Sequence, residues 1–332
     1  MKKLVIATVL FLSFNCATFA QLFPVLGEQR VGISTAQFLK IGAGGRATAM
    51  GDAFVAVADD ATAMYWNPAG LVQFNRNEVI VSHNKWLVDI DHNFFGAVYH
   101  LGVNDALGFS VTSVTMDQMK RTTEFQPFGT GEFFNVSDFA FSLTYAKRMT
   151  DKFSFGGTVK YVHSTLAELT MSGFLVDLGT YYWTGLGTSR FAVTFSNFGG
   201  QLQPNGDIVA VGSNEKISDW QQFSPPTMFR LGFAVEPYQT EIQRVTLSAQ
   251  LNHPNDNSES LSLGSEYAYA MPSFGTELSA RAGYKLNVEG QDISAGIGLE
   301  QNFNVISVGF DYSFVRFDKF GSVHRLTVTL GL

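Results

Sequence analysis

Alternation with a period of two, sustained over runs of about ten residues, limits what this chain can fold into more than any other feature. Phe139, Phe141, Leu143 and Tyr145 alternate with Ala140, Ser142, Thr144 and Ala146. Phe191, Val193 and Phe195 alternate with Ala192, Thr194 and Ser196. Leu326, Val328, Leu330 and Leu332 alternate with Arg325, Thr327, Thr329 and Gly331. Successive strand residues point to opposite faces, so each run has one large apolar face and one small, mostly polar face. A soluble sandwich carries many Lys and Glu on its wet face. Here that face is Gly, Ser, Thr and Ala with an occasional Arg or Asp, which suits a crowded lumen, while the bulky face suits lipid. The run length is that of a tilted membrane strand, about twice the five or six residues usual in soluble sheets.

Composition agrees. Charged residues are 15% of the 332, hydrophobic residues 45%, and there are 31 Phe and 32 Gly. A typical soluble domain is about 25% charged. Past the N-terminus no apolar stretch is long enough to cross a membrane as a helix, so any crossing falls to strands. Nine prolines are too few for a Pro-rich disordered chain. A formal charge of −7 argues against a nucleic-acid partner.

The runs number fourteen: 78–88, 92–102, 106–117, 135–147, 152–163, 173–184, 188–198, 225–237, 242–252, 259–269, 276–287, 291–300, 303–314 and 322–332. The even-numbered gaps are all short. The odd-numbered gaps include the two long ones, 118–134 and 199–224. Bacterial outer-membrane barrels pair short periplasmic turns with long extracellular loops. An even strand count closes an antiparallel sheet without edges. The expected fold is therefore all-β, a 14-stranded antiparallel transmembrane β-barrel over 78–332. Its last strand finishes on Leu332, where such barrels often carry an aromatic residue.

Two segments precede the barrel. Residues 1–20 have a basic start (Lys2, Lys3), an apolar stretch from Leu4 to Phe14 and small residues at Thr18 and Ala20. This is the pattern of a secretory signal peptide and predicts export to the outer membrane. Cys16, the one cysteine, lies within it, so disulfide and thiolate chemistry are not expected of the mature chain. Residues 21–77 lack the strand pattern. Their small residues and short apolar patches predict turns and brief helices, a compact N-terminal hatch inside the lumen. Arg46 with Asp59 or Asp60 is a candidate ion pair locking that hatch. The alternative is that the aspartates cap a short helix at Ala61. Asn67-Pro68 reads as a turn, Asn bonding local backbone and Pro fixing φ. Gly42, Gly44 and Gly45 lack the Lys-Ser/Thr of a phosphate loop and read as close-packing turns.

The stretch FLKIGAGGRATAMGDAFVAVADDATAMYWNPAGL resembles the N-terminal signature of the PorV/PorQ outer-membrane proteins. That family is similar in turn to the long-chain fatty-acid transporters (FadL-like), whose hatch also carries an Asn-Pro-Ala motif, here Asn67-Pro68-Ala69. The His324-Arg325 pair of the last strand also resembles the family. The resemblance implies a fourteen-stranded barrel with an internal hatch. It further implies a subunit beside the type IX secretion system, of the shuttle or attachment kind, with exported cargo proteins and other secretion subunits as partners.

No catalytic constellation stands out. There is no Gly-x-Ser-x-Gly elbow and no His-Glu-x-x-His site, and the six histidines share no metal-ligand spacing. His163 with Asp177 or Glu168 is the one dyad that can be staged. No enzyme activity, cofactor or metal is expected. Trp66, Trp86, Trp183 and Trp220 read as interfacial anchors or hatch packing. Two functions remain open: a protein-binding subunit of a secretion machinery, and a transporter of hydrophobic small molecules with a greasy pocket between hatch and wall. Outer-membrane lipid surrounds the barrel in both. Loop 118–134 carries Phe125, Phe128 and Phe133 beside Lys120, Arg121 and Glu124, and loop 199–224 carries Trp220 and Phe223 beside Asp207, Glu215 and Asp219. Aromatics flanked by charge suit a partner-contact surface. The alternative is that the loops fold together and seal the mouth.

Overall fold

The computed structural model describes residues 31–209, 216–288 and 290–332. The signal peptide expected over 1–20, the first ten residues of the expected hatch and Glu215 lie outside them. Fourteen strands form one closed barrel. They are β1 (Glu78–Lys85), β2 (Asp91–His100), β3 (Asp105–Thr115), β4 (Val136–Arg148), β5 (Phe153–Leu166), β6 (Leu169–Trp183) and β7 (Arg190–Gly199). The remainder are β8 (Met228–Gln239), β9 (Gln243–Pro254), β10 (Ser260–Met271), β11 (Thr276–Leu286), β12 (Gln291–Phe303), β13 (Ile306–Phe317) and β14 (Gly321–Gly331). Each pairs antiparallel with its sequence neighbours. The seam closes through β1 and β14, from Glu78 opposite Gly331 to Asn84 opposite Arg325.

All fourteen expected runs are strands, because burial splits along the alternation. Phe141 and Leu143 are 44% and 67% exposed on the outside, while the alternating Ser142 and Thr144 are 6% and 1% exposed inside. The clearest difference is the gap expected at 164–172. There β5 and β6 run on and meet through Ala167 and Glu168, with Ala167 at φ 53. Those residues keep the alternation, so the ladder extends past the membrane span as a projecting hairpin.

Residues 31–77 occupy the lumen as a plug. The chain starts it at the long-loop end, where Thr35 N donates to Ser224 O at 3.0 Å, and finishes at the opposite end, where Arg76 pairs with Glu300 at 2.6 Å. Between these ends lie the short helices α1 (Gly45–Ala49) and α2 (Ala63–Trp66), with 3-10 turns at Gln37–Lys40 and Pro68–Val72. Met50, Phe54, Val55, Ala58 and Leu71 are fully buried. A plug this tightly enclosed explains the small inner face of the wall. A Cβ at Gly179 would overlap Asn67 Oδ1, and one at Gly156 would overlap the backbone at Pro68.

Candidate functional site

The molecule offers two regions that bear on function: the seam between plug and wall, and the loops at the plug's outer end. At the seam, Asn67 is fully buried and uses its whole amide. Its Oδ1 accepts from Ala69 N at 3.1 Å, and its Nδ2 donates to Val55 O at 2.9 Å and to Thr180 O of β6 at 3.1 Å. Pro68 opens the 3-10 turn that follows, and Ala69 is fully enclosed. The Asn-Pro-Ala motif is thus a clamp between two parts of the plug and the wall.

Arg46, on α1, forms the ion pair read for it, whereas the helix cap read for the aspartates at Ala61 is a local turn, since α2 starts at Ala63 with no side-chain cap. It pairs with Asp59 at 2.5 Å and with Asp60 at 3.5 Å. Asp60 meanwhile accepts from Thr62 N at 2.8 Å, capping the turn ahead of α2. The partner that alternation could not identify is Glu266 of β10, 1% exposed. It receives Arg46 Nε at 2.8 Å and Nη2 at 3.1 Å. Glu266 also binds Arg281 at 2.7 Å and Arg244 at 3.3 Å, and Arg281 reaches Asp311 at 2.5 Å. These wall residues were legible as lumen-facing, but their convergence on one plug arginine depends on barrel register. Burial pushes the Asp60 carboxyl up, with Arg46 opposing. Burial works against the Arg46 charge, yet Asp59, Glu266 and Asp60 more than offset it and hold the guanidinium ionised.

Beside this cluster, at the short-turn end, lies a cavity of about 540 Å³ lined by Arg76, Glu78, Glu277 and Glu300. The long-loop end of the lumen holds two more. One, of about 660 Å³, is lined by Arg230, Asn252, Ser260 and Lys285. The other, of about 400 Å³, lies among Phe38, Ile41, Val114, Val315 and Val323, with Lys40, Asp52 and Arg325 at its polar side. Lys40 pairs with Asp256 at 2.8 Å, and Gln37 adds a hydrogen bond at 2.7 Å. Burial works against the Asp256 charge, but Lys40 and Gln37 outweigh it and hold the carboxyl below its ordinary range. Tyr65 donates to Leu39 O at 3.0 Å, and burial pushes its hydroxyl up to about 12.

The two long loops differ. In the β3–β4 loop, Phe125 and Phe128 are 90% and 95% exposed, and Phe133 is 55% exposed. A two-residue ribbon, Met119–Lys120 with Phe133–Phe134, holds the loop upright, and Arg121 ties it to Glu168 on the β5–β6 hairpin. The β7–β8 loop instead turns inward. Leu202 is buried among Ala36, Phe38, Leu39, Val114 and Leu175. Trp220 is half-buried with its Nε1 on Gly206 O at 2.8 Å, and Phe223, also half-buried, exchanges backbone bonds with Leu202. The described part of this loop packs on the plug, so Trp220 and Phe223 serve its own fold more than an outer surface.

The staged dyad does not form. His163 faces outward, opposite to buried Asp177, which pairs with Lys160 at 2.6 Å, while Glu168 binds Arg121. Among the described residues no cluster of His, Cys, Asp and Glu has a metal-binding arrangement.

The family model described as "Type IX secretion system protein PorV" matches residues 26–254. The chain belongs to the PorV family. No curated protein matches this PorV-family sequence. Several solved structures share its fold. The CymD monoaromatic hydrocarbon channel has a TM-score of 0.57 at 14% identity, over 88% of this chain and 97% of its own. The Ralstonia pickettii toluene transporter TbuX gives 0.55 at 14% identity, over 87% and 97%. A Pseudomonas aeruginosa FadL homologue gives 0.53 at 10% identity, over 87% and 97%. At such identities the likeness concerns the fold alone. The PorV-family chain thus has a FadL-like outer-membrane barrel architecture.

Proposed function

We propose that this PorV-family barrel is exported by its N-terminal segment to the bacterial outer membrane and acts there in type IX secretion, binding exported proteins or fellow subunits at the cell surface. The observation that carries this reading is the β3–β4 loop. It holds Phe125 and Phe128 almost fully in solvent on the long-loop side, which is the extracellular side in barrels of this kind. Exposed aromatics on a braced loop are the anchors that protein interfaces favour. The test replaces Phe125 and Phe128 with Ser and counts type IX cargo on the surface of cells with equal amounts of folded barrel. Cargo display should fall. Unchanged display would remove the basis for the proposal.

A second reading, uptake of a hydrophobic small molecule, is favoured by one feature: the 400 Å³ cavity bordered by Phe38, Ile41, Val114, Val315 and Val323. Filling it with Val114→Phe should lower uptake of a labelled aromatic hydrocarbon if the chain transports one, and leave cargo display untouched.

A further inference from the structure

The wall facing the plug's outer end carries a cation that nothing so far described uses. Arg230, on β8, is 5% exposed and faces the lumen. No carboxylate among the described residues pairs with it. Among the described residues it makes one hydrogen bond, Nη1 to Ser196 Oγ at 3.1 Å, and lies over the ring faces of Tyr65 and Trp66 at 5.9 and 5.7 Å. Two neighbouring cations of the same region are answered by acids, Lys40 by Asp256 and Lys285 by Asp52, and Arg325 by the carbonyl of Gly42. A buried guanidinium normally finds an acceptor partner. Arg230 instead borders the 660 Å³ cavity with Nε and Nη2 uncommitted.

The wall beside it is built to donate. On β9 and β10, Gln250 Nε2 donates to Asn252 Oδ1 at 2.7 Å, and Asn252 Nδ2 donates to Ser260 Oγ at 3.2 Å and Ser262 Oγ at 3.3 Å. A serine oxygen that accepts such a bond keeps its own proton to give, and half-buried Ser260 borders the cavity. Lys285 retains further N–H groups beyond its bond to Asp52. Asn257, Ser258 and Asn287 add further polar groups to the lining, beside Val31 and Leu286. Asp292, the other acid at the rim, receives the backbone N–H of Ile293 at 2.8 Å. The volume is within the roughly 300–1,000 Å³ usual for small-molecule sites.

We propose that this vestibule binds a small hydrophilic carboxylate of sugar-acid size, its carboxylate on Arg230 and its hydroxyls on the Asn252–Ser260 wall. The planar fork of Arg suits a planar carboxylate in two parallel bonds; the amide and hydroxyl groups suit the hydroxyls of a polyol, and Trp66, Met228, Tyr284 and Leu286 suit the apolar face of its ring. The site is independent of the surface role proposed above.

The experiment is isothermal titration of the detergent-solubilised full chain with D-glucuronate, and in parallel with D-glucose, octanoate and inorganic phosphate. Glucuronate should bind saturably and the others at least about tenfold more weakly, the scale of one charge-assisted contact. Arg230→Gln should lose at least about tenfold in glucuronate affinity, and Arg230→Lys less. Ser260→Leu, which crowds the cavity from its rim, should weaken glucuronate even if Arg230→Gln fails to fold. No glucuronate binding, or equal binding by glucose, would overturn the assignment. So would octanoate or phosphate binding more tightly, or glucuronate affinity unchanged in Ser260→Leu or in folded Arg230→Gln.

Discussion

Single side chains of opposite sign hold the plug to the wall, and their removal should be felt unequally. Arg46 is shared by Asp59, Asp60 and Glu266. Breaking a buried pair from one side costs about 3–5 kcal/mol. Because Arg281 and Arg244 stay on Glu266, Arg46→Ala should fall at or below about 3 kcal/mol on that scale. Urea unfolding of the purified barrel checks the size. Proteolysis within residues 45–66 should rise before the strands melt. Acidity should separate two aspartates outside the strands. Asp60, whose affinity for its proton is raised by burial, takes one up as pH falls toward the ordinary carboxylate range, and that uptake favours the folded state. Asp256 is held below that range, so its tie to Lys40 persists past that point and is lost only as pH falls through its lower value, at a cost to the folded state. Carbon-detected NMR titration of labelled aspartates should therefore find Asp60 protonating first; the reverse order would contradict the geometry. On the outer face, Phe141→Arg puts a charge into lipid at about 2–4 kcal/mol near the midplane. Phe141→Leu should be close to neutral in the same folding assay.

At the scale of elements, the two long loops look alike in sequence and do different work. The β7–β8 loop inserts Leu202 against the plug's Phe38 and Leu39. Leu202→Asp buries a carboxylate without a partner, so it should loosen residues 34–40 and speed their amide exchange, with the barrel ladder retained. The β3–β4 loop inserts nothing comparable. Shortening it between Met119 and Phe134, where the ribbon closes, should leave thermal stability within about 0.5 kcal/mol, the scale of surface changes. Its effect should appear in cargo display alone. Equal destabilisation by the two changes, read from unfolding midpoints, would show that both loops pack on the plug.

For the whole molecule, a closed ladder with no free edge predicts a heat-modifiable band on gels, compact before boiling and extended after. A helical circular dichroism spectrum, or solubility of the full chain without detergent, would contradict the fold. The plug is the second whole-molecule feature. It runs from the long-loop mouth at Thr35 to the opposite rim at Arg76, so it spans the lumen end to end. Deleting residues 31–72 should open an ion-conducting pore in planar bilayers where the intact chain conducts little.

The alternation settled the architecture without tertiary information, because a period of two in runs of ten leaves a strand one way to sort its faces. Strand number, the outward Phe141 and Leu143, the inward Ser142 and Thr144, and the side bearing the long loops were all legible. So was a plug over the segment that lacked the pattern. What the sequence could not contain was any pairing that depends on barrel register. Glu266 lies 220 positions from Arg46, and no local rule links residues brought together by a closed sheet. The same holds for the inward turn of the β7–β8 loop, decided by where Leu202 finds apolar company, and for Arg230. Alternation placed Arg230 in the lumen; only the folded wall and plug left it bordering a cavity with no described carboxylate paired to it.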